Sequence, residues 1–108
     1  MRHRIGTQAW KKAALRLDLF AGDKEPAYDR LLRDEIVIAA REHTCPECQQ
    51  KIIRGQFCRV LVAVDAGEIV TFRLCQKCLS ALLLWQSGDC EPYYNRLEMG
   101  RRVINEGR

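Results

Sequence analysis

Cys45-Pro-Glu-Cys48 and Cys75-Gln-Lys-Cys78 are two pairs with the same internal spacing, and residues 57–74 between them alternate like a β-hairpin. Two residues between cysteines let both thiolates of a tight turn point at one ion about 2.3 Å from each sulfur, and two such turns complete the tetrahedral shell that structural zinc prefers. The spacing therefore predicts one Zn2+ held by Cys45, Cys48, Cys75 and Cys78. Pro46 fixes one backbone angle inside the first turn. The second pair opens a helix, because residues 75–85 run into Leu79, Leu82, Leu83, Leu84 and Trp85 before Gly88 stops them. A helix N-terminus favours negative charge, which helps hold Cys75 and Cys78 as thiolates.

Residues 57–64 are rich in Val and Leu, Asp65-Ala66-Gly67-Glu68 is a turn signal, and residues 69–74 alternate Val70, Phe72 and Leu74 with Thr71 and Arg73. Knuckle, hairpin, then a helix carrying the second pair: this order resembles the treble-clef zinc finger, over roughly residues 45–85. One departure is Gln49, which follows Cys48 where a knuckle often has glycine, so the turn type stays open. A looser similarity, to the DksA/TraR family that regulates bacterial RNA polymerase, rests on helices ahead of a four-cysteine finger with Cys45, Cys48, Ile52 and Arg54. The 26 residues between the pairs exceed the insertion of that family.

Outside the finger, helical spacing dominates the reading. Thr7 can cap a helix with Trp10, Ala13, Ala14 and Leu17 on one face, ending near Gly22. Asp23 and Pro26 open a second, with Tyr28, Leu31, Leu32, Ile36, Ala39 and Ala40 as its apolar stripe, ending near His43. After Gly88, Asp89 and Pro92 start a last helix that buries Tyr93, Leu97 and Ile104. The expectation is an α+β chain of a single domain: two N-terminal helices at 1–43, a small treble-clef-like zinc finger at 44–88 and a C-terminal helix at 89–108.

At 108 residues a metal crosslink is a natural supplement to a modest core. No run of about 18 apolar residues or signal peptide is visible, so the reading is cytoplasmic, where thiolates meet metal rather than oxidise. Six cysteines would allow three bridges in a secreted chain; the matched spacing speaks for zinc instead. Cys58 and Cys90 stand alone and read as small buried hydrophobes. His43, two residues before Cys45, is an alternative ligand, though a histidine at an element end is more often a cap.

Enzyme readings find no residues to carry them. An HNH nuclease needs histidines on hairpin and helix, and residues 57–74 and 79–86 hold none. A RING module needs eight ligands, a thioredoxin-like dithiol needs a βαβ order, and no catalytic triad or phosphate loop is present. The formal charge is +4; four thiolates around a divalent ion carry about −2, leaving a zinc-loaded chain near +2. Basic residues concentrate at both ends, with five and no acid in 1–17 and four against two acids from 93 on.

Two functions follow as expectations. The first is a non-catalytic zinc-stabilised module, a regulator, adaptor or inhibitor docking on a larger protein of nucleic-acid machinery; such a chain would suit a phage or mobile-element factor, including an anti-CRISPR. The alternative is direct DNA or RNA binding as a transcription regulator, through Arg2, Arg4, Lys11, Lys12, Arg16, Arg96, Arg101, Arg102 and Arg108, with Trp10 or Tyr94 stacking. Apolar residues on the terminal helices leave a homodimer open, and no membrane partner is expected.

Overall fold

The computed structural model describes residues 4–17 and 29–106. They run α1 (Gln8–Arg16), β1 (Arg30–Ile38), β2 (His43–Thr44), β3 (Lys51–Ile52), β4 (Phe57–Asp65), β5 (Glu68–Cys75), α2 (Gln76–Gln86) and α3 (Glu91–Glu106). Helices and small antiparallel sheets are mixed, as the α+β expectation requires.

Strands β4 and β5 form the anticipated hairpin, closing with Asp65 opposite Glu68. Ala66 and Gly67 between them have φ of 52° and 82°, and positive φ at both central residues gives the turn whose twist matches the flanking strands. Gly67 adopts that conformation freely. Ala66 carries a Cβ into it, at a cost of roughly 1–2 kcal/mol.

The expected second helix is not there. Residues 30–38 are strand β1, antiparallel to β4, and complete a three-stranded sheet in the order β1-β4-β5. Leu31, Leu32, Ile36, Ala39 and Ala40 do fall at helical spacing, but two physical facts outweigh it. β4 is buried along Cys58, Arg59, Val60 and Leu61, so the backbone groups on its second edge need partners that only a strand supplies. The run Ile36-Val37-Ile38 is β-branched throughout and packs well on a pleated surface. Tyr28 and the opening at Asp23 and Pro26 lie outside the described residues. Over the described residues the layer ahead of the knuckle is therefore one helix and one strand, which removes the helices-then-finger order behind the DksA/TraR likeness.

Arg59 ties β1 to α1. Only 4% exposed, it donates from Nε and Nη2 to the two carboxylate oxygens of Asp34 on β1, each at 2.8 Å. Its Nη1 donates to the carbonyls of Ala14 and Leu17 at the C-terminal end of α1, where Ala14 O also accepts from Leu17 N at 3.3 Å. α1 ends at Arg16 with an extended Leu17 as its C-cap; the end expected near Gly22 lies outside the described residues. At its other end Thr7 Oγ1 accepts from Trp10 N at 3.2 Å, the cap expected.

The core lies between α1, α2 and one face of the sheet. Trp10 is fully buried, donates from Nε1 to Ser80 Oγ on α2 at 3.0 Å, and tilts against Phe57 with centroids 5.9 Å apart. A nucleic-acid stacking role for Trp10 is thereby excluded. Gly6, at φ 91°, lets the chain pass over Phe57: a Cβ there would sit 2.9 Å from the ring. Gly88, at φ 102°, ends α2, with Asp89 N bonded back to Leu84 O at 2.9 Å. α3 begins one residue later than the Asp89 cap anticipates, since Cys90 O accepts the bond from Tyr94 N. Ile104, expected inside, is 46% exposed; Gly100 is the buried residue on that helix.

Candidate metal centre

The first cysteine pair sits on a two-stranded knuckle. β2 and β3 pair His43 with Ile52 and Thr44 with Lys51, and Cys45 N bonds to Gln50 O at 3.0 Å while Gln49 N bonds to Cys45 O at 2.8 Å. Gln49 has φ 61°, so it occupies the left-handed position that glycine often fills, and its Nε2 donates to Pro46 O at 2.9 Å. Ile52, fully buried, anchors the knuckle to the core.

The second pair sits where β5 becomes α2. Cys75 is the N-cap of α2, and its Sγ accepts from Cys78 N at 3.4 Å. The hairpin thus carries Cys75 back to the knuckle across the 26 intervening residues.

All four sulfurs lie within 4.8 Å of one another. Cys45 Sγ is 3.9 Å from Cys78 Sγ and Cys48 Sγ is 3.7 Å from Cys75 Sγ; a tetrahedron with Zn–S bonds of 2.3 Å has edges of about 3.8 Å. The residues are 0, 0, 5 and 0% exposed for Cys45, Cys48, Cys75 and Cys78. Four buried soft sulfurs clustered this closely suit zinc among the divalent ions. The neighbouring Cys75 and Cys78 sulfurs pull the Cys45 thiol below its ordinary value, and the contact with Cys45 pushes Cys75 up to about 11 and raises Cys78. Four neighbouring thiolates need a cation among them to coexist.

A third element closes over the cluster. Arg96 of α3 donates from Nε to Cys78 Sγ at 3.1 Å and from Nη2 to Cys48 Sγ at 3.2 Å, with Cys75 Sγ at 3.9 Å. Burial pulls the guanidinium pKa down, and the bonds to the Cys78 and Cys48 sulfurs more than offset it, so the net shift is upward. One turn earlier, burial first and then the nearby Glu47 carboxylate raise the Tyr93 phenol, and burial raises Glu47.

The sequence assigned Arg96 to phosphate contact, and the structure turns it to the sulfurs instead. The helical spacing of Tyr93, Arg96 and Gly100 sets the three on one helix face, but spacing does not say what that face meets. Of the other basic candidates, Arg4, Lys12, Arg16, Arg101 and Arg102 are exposed. Lys11 is half-buried with Nζ 5.0 Å from the centroid of Phe57, and Arg102 lies 4.0 Å from Glu98. Arg2 and Arg108 fall outside the described residues.

His43 is not part of the sulfur cluster. Cys58 is buried opposite Cys75 on the neighbouring strand, and burial raises its thiol pKa, consistent with a small neutral core residue. Cys90 is half-buried. Among the described residues no helix is long and apolar enough to cross a membrane. No protein-family model, curated protein or solved structure matches the chain.

Proposed function

We propose that the chain is a non-catalytic binding module stabilised by one zinc ion, a small regulator, adaptor or inhibitor that docks on a larger protein of nucleic-acid machinery. One observation carries the reading: four buried sulfurs lie within 4.8 Å of one another, as the ligands of one ion must, and Arg96 bonds to them from outside. A catalytic zinc keeps a position for water or substrate, whereas a four-sulfur set leaves none. The order of knuckle, hairpin and helix is similar to the treble clef, a scaffold on which many functions are built. An anti-CRISPR would be one inhibitor of this kind. Cytoplasmic action follows from reduced thiols as ligands.

Docking is further supported by an aromatic cluster at the junction of α2 and α3. Trp85 is 39% and Tyr94 53% exposed, and Trp85 packs with ring centroids 5.1 Å from both Tyr93 and Tyr94. Exposed Trp and Tyr are the residues that dominate interface energies. Zinc-loaded protein used as bait in lysate should retain a protein partner after nuclease treatment, and the W85A/Y94A double variant should lose it while keeping its zinc and its circular dichroism. Retention of no partner, with tight DNA or RNA binding at physiological salt, overturns the proposal. Sedimentation distinguishes a second copy of the chain from a different protein.

Direct nucleic-acid binding is the second reading, favoured by the exposure of Arg4, Lys12, Arg16, Arg101 and Arg102. Phosphate contacts release counterions, so affinity must fall steeply with salt. An affinity that stays level from low to high salt dismisses it.

A further inference from the structure

We infer that Arg96 is the outer clasp of the metal centre, coupling retention of zinc to the seating of α3. The inference rests on the four cysteines holding zinc as thiolates. Its geometry is specific: the planar guanidinium bridges the two halves of the centre, bonding to Cys48 on the knuckle and to Cys78 on α2. Among the described residues it is the cation hydrogen-bonded to the sulfurs. Lys51 and Lys77 line the adjacent cleft of about 370 Å³ with Arg96 and Met99, but Lys51 is paired with Glu42 at 3.2 Å. A lysine cannot reproduce the two-pronged contact, because an ammonium is a point charge on a flexible stem.

One more contact on the same helix face shows that α3 is fitted to this spot. Gly100 lies so close to the knuckle that a Cβ would be 3.1 Å from Cys48 Cα and would collide with the Glu47 carbonyl oxygen. Residues 96 and 100 thus grip the turn that carries Cys48. A zinc tetrathiolate carries about −2, and Arg96 supplies the charge-assisted bonds that offset it at a dehydrated site. Coupling between two equilibria is reciprocal: what holds α3 down also holds the metal in, and what loosens α3 loosens the metal.

The test compares zinc-loaded wild-type protein with R96M, R96K and G100A. Metal content, zinc transfer to excess chelator and amide hydrogen exchange along residues 93–105 are measured for each. R96M should keep one zinc at rest, release it roughly 10–100-fold faster, the range seen when partners outside the ligand shell are removed, and lose exchange protection in α3 while β4 and β5 keep theirs. R96K should fall between R96M and wild type, and G100A, which leaves the guanidinium in place, should accelerate both zinc release and α3 exchange. With cobalt in place of zinc, loss of the N–H···S bonds in R96M should move the sulfur-to-metal band to longer wavelength. Unchanged release and exchange in R96M overturn the inference, as does a G100A protein whose α3 exchanges freely at a wild-type release rate. If R96M does not fold, the intermediate position of R96K decides by the same readouts. Wild-type protein without stoichiometric metal fails the zinc reading itself, which is a separate result.

Discussion

Arg59 shows how one side chain can fix three elements. It is buried, forked onto Asp34 of β1, and bonded to the last carbonyls of α1. Asp34→Ala strands a guanidinium inside the protein, and removing one partner of a buried pair costs about 3–5 kcal/mol. Arg59→Met should cost less, since the Asp34 side chain is 22% exposed and can hydrate. Urea midpoints for the two variants check the size and the order; losses under about 1 kcal/mol for both would mean the pair anchors nothing. Cys75 separates two roles in the same way. It caps α2 and contributes a sulfur to the four-cysteine cluster. Serine caps a helix well but is a poor ligand for zinc, so Cys75→Ser preserves the cap and removes the ligand. The expected outcome is loss of zinc together with loss of cooperative folding, followed by metal analysis and circular dichroism. A folded C75S protein that lost a measurable activity would point to chemistry at the site.

At the scale of elements, the hairpin turn offers a stabilising change. Asn-Gly is the favoured pair for a turn with two positive φ values, and Ala66 stands where Asn belongs. Ala66→Asn should raise stability by up to about 1 kcal/mol, read as a higher urea midpoint, and the bond from the residue 66 amide to Asp29 Oδ2 at 3.0 Å involves backbone and survives the change. A lower midpoint would show that the turn does not limit the hairpin. This hairpin, the knuckle and α2 were legible in the sequence because each is written in local signals: Asp65 to Glu68 for the turn, matched cysteines, leucines ending at Gly88. β1 was not. Leu31, Leu32, Ile36 and Ala39 satisfy helical spacing, and what overrules them is a strand about 25 residues further on whose second edge must be paired, a non-local demand that periodicity does not express. Arg96 was missed for a related reason. A surface arginine and one facing thiolates look alike until the helix is placed, and Gly100, which permits the placement, reads in isolation only as a poor helix former.

For the whole molecule, the pH dependence of stability distinguishes a zinc-loaded fold from a metal-free one by its sign. Zinc keeps all four sulfurs deprotonated in the folded state, whereas the unfolded chain's thiols ionise only near their ordinary value of 9.0. Below that value the unfolded state binds more protons, so stability is fully present above about pH 9 and is lost as pH falls, at up to about 5 kcal/mol per pH unit for four sulfurs. A metal-free protein that stayed folded would differ on the alkaline side. Contact with Cys45 pushes Cys75 up to about 11 and raises Cys78, so the folded sulfurs would keep protons that the unfolded chain had already released. Its stability would then decline as pH rose from about 9 to 11. Urea midpoints between pH 5 and 11, in buffered zinc and again with chelator, separate the cases: acid-side loss with a level alkaline side marks the zinc-bound centre. A loss on the alkaline side in buffered zinc would show that the four cysteines pack together without a metal, and the sulfur cluster would no longer support a zinc-built module.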